Sequence, residues 1–124
     1  MITSINEWKI RKINEGSYED FIGNYGNEIR LAIIKLKKLD KAFDMYNKDL
    51  TPEQINIIQN SLKNYDSNVE DRIWHFMSVP GLDIKEIANF ALNNYNKFGT
   101  EPQFVIEAID EFCDAFATAI GITL

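Results

Sequence analysis

Thr51-Pro52-Glu53-Gln54-Ile55-Asn56-Ile57-Ile58 is the stretch that decides how this chain is read. The Thr51 hydroxyl can accept a hydrogen bond from a free N–H in a first helical turn. Gln54, three positions on, can reach back to the N–H of Thr51. Pro52 suits the first helical position, where its missing N–H costs nothing and its φ is already set. Together these residues predict a helix that begins at Thr51.

The same pattern, a cap with an acid or amide three positions later, recurs through the chain. It pairs Ser4 with Glu7, Ser17 with Asp20, Ser67 with Glu70, Asp83 with Glu86 and Thr100 with Gln103. From Thr51 onward the caps lie 16, 16 and 17 residues apart. They predict helices over 51–65, 67–78, 83–97 and 100–120, with stops at Pro80-Gly81, Gly99 and Gly121. Loops this short favour antiparallel neighbours.

Working back from Thr51, Ile29, Ala32, Leu36, Leu39, Phe43 and Tyr46 recur at spacings of three and four and predict a long helix over 28–47. Arg30, Lys37, Lys41 and Lys48 fall on its other side. Gly23-Asn24-Tyr25-Gly26-Asn27 reads as a turn before it. A short helix over 18–22 and another over 5–14, stopped by Gly16, complete the reading. The expectation is an all-α protein, with residues 1–124 as a single compact bundle of six to seven helices. The two-helix period of about 33 residues resembles that of helical repeat arrays. Residues 51–65 and 83–97 share little beyond Gln54/Glu86 and Ile55/Ile87, so no repeat consensus emerges.

A chain of 124 residues, 45% hydrophobic and 26% charged, has the composition of one globular domain. It contains no apolar run of the roughly 18 residues that would cross a bilayer. Its first residues lack the basic and apolar pattern of a secretory signal. Cys113 is the only cysteine and has no internal disulfide partner, which points to the cytosol. Abundant Ile, Asn and Lys, with few Arg, point to an AT-rich bacterial or phage genome. The net charge is −6 and uneven: residues 1–50 hold nine Lys/Arg against eight Asp/Glu, and residues 51–124 hold four against eleven. This balance disfavours nucleic acid and anionic membranes and favours a basic protein partner.

The helix begun by Thr100 carries the one functional hint. Phe104, Val105, Ala108, Ile109, Phe112, Phe116 and Ile120 share an apolar face. Glu107, Asp110, Glu111 and Asp114 share the opposite one, and no basic residue occurs from Thr100 to the last residue. Glu107/Glu111 and Asp110/Asp114 are like-charge pairs four apart, and Asp114 lies toward the negative helix end, so the face gives up some stability. It is either a solvated face whose counter-charges come from another helix, or an acidic docking surface. Carboxylates there suit a hard cation in principle, but there is no calcium loop and no Glu-x-x-His pair. No metal and no cofactor is expected.

His75, the only histidine, sits among Ile73, Trp74, Phe76 and Met77 and reads as structural or peripheral. A Cys113–His75 catalytic pair needs an adjacency that spacing does not show, and Asp110 and Asp114 would blunt the thiol. There is no phosphate-binding glycine loop. The basic cluster of Arg30, Lys35, Lys37, Lys38 and Lys41 is offset by Asp40, Asp44 and the net charge, and the helical hairpin over 67–97 offers little positive charge for DNA. Ile34 and Met45 fall near the polar side of their helix, where they either meet another helix or form an exposed apolar spot.

Together these features predict a non-enzymatic, acidic protein-binding domain. The best-fitting expectation is an immunity protein that neutralises a basic, nuclease-like bacterial toxin by covering its active site through Glu107, Asp110, Glu111 and Asp114. The alternative is a structural or adaptor module that acts by apolar packing or self-association.

Overall fold

In the computed structural model, residues 5–124 are described, with side chains described from Tyr18 onward. Five α-helices and no strand account for the described residues: α1 Ile5–Tyr46, α2 Pro52–Ser61, α3 Ser67–Ser78, α4 Ile84–Phe98 and α5 Gln103–Ile120. The all-α class therefore holds, with five helices in place of six to seven.

The missing breaks all lie in α1, which is continuous through Gly16, Ser17 and the expected turn at 23–27. Its apolar stripe explains why. Tyr18, Phe21, Ile22 and Tyr25 continue the three–four spacing of Ile29, Ala32, Leu36 and Leu39, and all eight belong to the core or pack against it. Phe21 and Tyr25 stack with ring centroids 5.2 Å apart across the very segment that reads as a turn. Each interior glycine costs roughly 1 kcal/mol of helix propensity, and burying a stripe of aromatic side chains outweighs that. The expected cap at Ser17 is thus a mid-helix position, while the one at Ser4 lies outside the described residues.

The other caps divide by their backbone geometry. At Thr51 the capping box is complete: the Thr51 N–H donates to Gln54 Oε1 at 2.8 Å, and the Gln54 N–H donates to Thr51 Oγ1 at 3.1 Å. Gln54 Nε2 goes further, donating to Tyr46 Oη and to the Ala119 carbonyl, each at 3.0 Å. Asp83 caps α4 by accepting the Glu86 N–H at 3.1 Å. Ser67 is instead the first residue of α3, after Asp66, and Thr100 lies outside α5, which follows Pro102. The Thr100 hydroxyl donates instead to Asp66 Oδ2 at 3.0 Å, so the residue before Ser67 and the expected cap of α5 tie two loops together.

Most helix ends follow expectation more closely, but α2 ends at Ser61, short of the expected end at Tyr65. Gly99 and Gly121 adopt φ of 73° and 77°. Behind Gly121 the Ile122 N–H reaches the Ala117 carbonyl and the Gly121 N–H reaches the Thr118 carbonyl, the paired bonds of a Schellman ending.

Packing partners are mostly distant in sequence. α1 lies chiefly against α5 and α4, α2 against α5, and α3 meets both α1 and α5. The last four helices are therefore not a self-contained unit: α1 packs on α3, α4 and α5, and α2 rests chiefly on α5. An aromatic cluster joins α1, α3 and α5: Phe43 meets Phe116 edge-on at 5.1 Å, and Trp74 meets Phe112 edge-on at 5.1 Å. Phe112 and Phe116 are fully buried.

Candidate functional site

α5 places Glu107, Asp110, Glu111 and Asp114 along one face, with Val105, Ala108, Ile109, Phe112, Phe116 and Ile120 buried on the other. Phe104 departs from the expected apolar face and is 41% exposed.

The acidic face is two surfaces rather than one. Lys35 of α1 reaches Asp110 Oδ1 at 3.6 Å and Asp114 Oδ1 at 3.8 Å. Another helix thus supplies the counter-charge for this half, and solvent-exposed pairs of this kind contribute only about 0–1 kcal/mol. Glu107 and Glu111 face Tyr65 instead. Burial, reinforced by the charges of Glu111 and Glu107, pushes the Tyr65 hydroxyl up to about 12, and the hydroxyl hydrogen-bonds to Glu111. No basic side chain pairs with Glu107 or Glu111 among the described residues.

Glu107 also borders a cleft of about 390 Å³ where the loop before α3 meets the loop before α5. The Asp66–Thr100 hydrogen bond joins those two loops. Asp66, Glu101 and Glu107 line the cleft with Tyr65 and Phe104, and among the described residues no Lys, Arg or His does. The lining therefore offers three carboxylates as hydrogen-bond acceptors and two aromatic side chains, with Asp66 Oδ2 already accepting from the Thr100 hydroxyl. Sequence reading missed Tyr65, Asp66, Glu101 and Phe104 as site residues. The available signal was the pair of caps at Ser67 and Thr100, whose loops this site joins.

Cys113 and His75 are in unlike surroundings. Cys113 is fully buried, and burial, followed by the charge of Asp110, pushes its thiol up to about 12, with Lys35 opposing. A thiol held protonated is a poor nucleophile. His75 is exposed on α3 and lines a cleft between α3 and α4 to which Cys113 does not contribute. Among the described residues no group of three or more His, Cys, Asp or Glu converges as metal ligands. No helix of the described residues is long and apolar enough to cross a membrane.

The basic cluster of α1 is largely engaged. Lys35 serves Asp110 and Asp114, Lys37 Nζ donates to the Val79 carbonyl, and Arg30 donates to Asn27 Oδ1 at 3.1 Å. Ile34 and Met45 form exposed apolar positions, 49% and 78% exposed, and Leu31 joins them at 61%. Comparison with protein-family models, with curated proteins and with solved structures gives no match.

Proposed function

We propose that the chain is an acidic protein-binding domain that neutralises a basic partner, in the manner of an immunity protein covering the active site of a nuclease-like bacterial toxin. One observation carries this reading: among the described residues, the cleft lined by Tyr65, Asp66, Glu101, Phe104 and Glu107 has three carboxylates, two aromatics and no cation. A nuclease presents Lys and Arg where it would hold phosphate, and those side chains fit such a cleft. The charge excess of residues 51–124 adds long-range attraction that speeds encounter.

The test uses the product of the neighbouring gene as the candidate partner. Coexpression should relieve its toxicity, and the affinity of the complex should fall as salt rises. The quadruple reversal of Glu107, Asp110, Glu111 and Asp114 to Lys should weaken binding while helical content stays intact. Unchanged affinity in that variant removes these residues from the interface.

The exposed Leu31, Ile34 and Met45 of α1 favour a second reading, an adaptor that docks through apolar surface. Salt separates the two, since apolar packing does not weaken as ionic strength rises.

A further inference from the structure

The cleft between α3 and α4 is chemically the opposite of the acidic one. Two amides bridge its helices: Asn68 Nδ2 donates to Asn94 Oδ1 at 2.7 Å. Asn94 is 2% exposed and is the one buried polar side chain among the described residues. Its Nδ2 has no hydrogen-bond partner. A buried donor without an acceptor is a standing cost that an incoming acceptor removes.

Asn94 borders a cleft of about 600 Å³. Residues 51–124 hold only four Lys/Arg, and two of them, Arg72 and Lys97, line this cleft with the chain's single histidine, His75. Asp71 is the one carboxylate there. The guanidinium of Arg72 lies 5.4 Å from the Phe90 ring centroid, which keeps its flat donor edge available. Neither Arg72 nor Lys97 is in an ion pair among the described residues. Phe90 and Phe98 supply apolar wall, and Phe98 is 57% exposed.

We propose that this cleft binds a small organic anion, a carboxylate or phosphate attached to a flat apolar body. Arg72 and Lys97 hold the oxyanion by charge-assisted hydrogen bonds. Asn94 Nδ2, buried at the edge of the cleft and without an acceptor among the described residues, takes a ligand oxygen. The body rests on Phe98 and Phe90. The volume falls within the range of small-molecule sites, about 300–1,000 Å³. This site is independent of the acidic cleft and of the partner proposed for it.

The experiment titrates the ¹⁵N-labelled full chain, followed by NMR, with phenylacetate, phenyl phosphate, acetate, inorganic phosphate and benzylamine. At least one aromatic anion should give saturable shifts over 68–75 and 90–98 and at the Asn94 side-chain amide. It should bind about tenfold more tightly than its counterpart without the ring. The stronger of the two aromatic anions identifies the oxyanion, and benzylamine should leave these resonances in place. The double variant Arg72→Ala/Lys97→Ala, at two exposed positions, should keep its circular dichroism and lose about tenfold or more in affinity. The proposal is overturned if neither aromatic anion saturates, if the double variant binds as tightly as the parent, or if benzylamine moves the same resonances equally.

Discussion

α1 and α5 are the two longest helices, and they are specified in opposite ways. From Val105 to Ile120 α5 has a buried apolar face, with no interior glycine and a Schellman ending at Gly121, so its apolar pattern and its C-terminal stop agree with its conformation. α1 contains Gly16, Gly23 and Gly26, and its exposed surface carries Leu31, Ile34 and Met45. From Tyr18 onward its helix is held by what its stripe touches: chiefly α5 and α4, with α3 in addition. Helical conformation is local information in α5 and tertiary information in α1.

The largest effect expected from breaking this arrangement is at Phe112, which lies on α5 and packs against Trp74 and Phe116. Phe112→Ala should cost about 3–5 kcal/mol in chemical denaturation. Because α1 depends on α5 for its conformation, the variant should also lose more helical signal than one helix accounts for. A loss confined to α5 would show that α1 holds itself.

Cys113 gives the next effect, read by pH. Its folded thiol titrates near 12 against an ordinary value of 9.0. The stabilisation is complete below pH 9, where both states are protonated. Above 9 the unfolded chain alone loses the proton, and stability falls by about 1.4 kcal/mol per pH unit until the folded thiol titrates. Cys113→Ala should flatten that limb of the stability–pH curve, and a thiol reagent at pH 8 should modify the parent only once it unfolds.

Within α5 the two halves of the acidic face should separate. Glu107→Lys/Glu111→Lys should weaken binding of the basic partner more than Asp110→Lys/Asp114→Lys, because Lys35 already offsets part of the charge of the second pair. Equal losses would mean that the partner displaces Lys35.

The smallest effects are at the glycines. A Cβ at Gly23 meets nothing within 4 Å, and one at Gly26 meets only Ile22 Cγ2 at 4.0 Å. Gly23→Ala and Gly26→Ala should each stabilise the fold by about 0.5–1 kcal/mol in thermal melts, as expected in a helix and not in a turn. Gly99→Ala, at φ 73°, should destabilise it by about 1 kcal/mol.

The parts of the fold legible in sequence are those with one dominant local cause. Thr51 with Pro52 and Gln54, Asp83 with Glu86, and the stops at Gly99 and Gly121 all behave as their residue types require. Thr100 failed because its hydroxyl had a better use 34 residues away at Asp66. The turn at 23–27 failed because two glycines were weighed more heavily than the spacing of Tyr18, Phe21, Ile22 and Tyr25, which runs straight through it. For the site, α5 and its charge were legible, since both arise from one periodic segment. Lys35, Tyr65 and Asp66 were not, because each reaches the site from another helix or loop. Asn94 was hidden more deeply, as nothing in its neighbours marks one asparagine among several as the buried one.

The Gln54 side chain makes the order of assembly visible. Its cap with Thr51 closes across three residues, whereas its bond to the Ala119 carbonyl closes a separation of 65. The first turn of α2 is therefore poised early by local chemistry but fastened only when the far end of α5 arrives, and long closures are the slow ones. Amide protons in that first turn should exchange with solvent in step with those of the last turn of α5, two segments 65 residues apart opening as one latch.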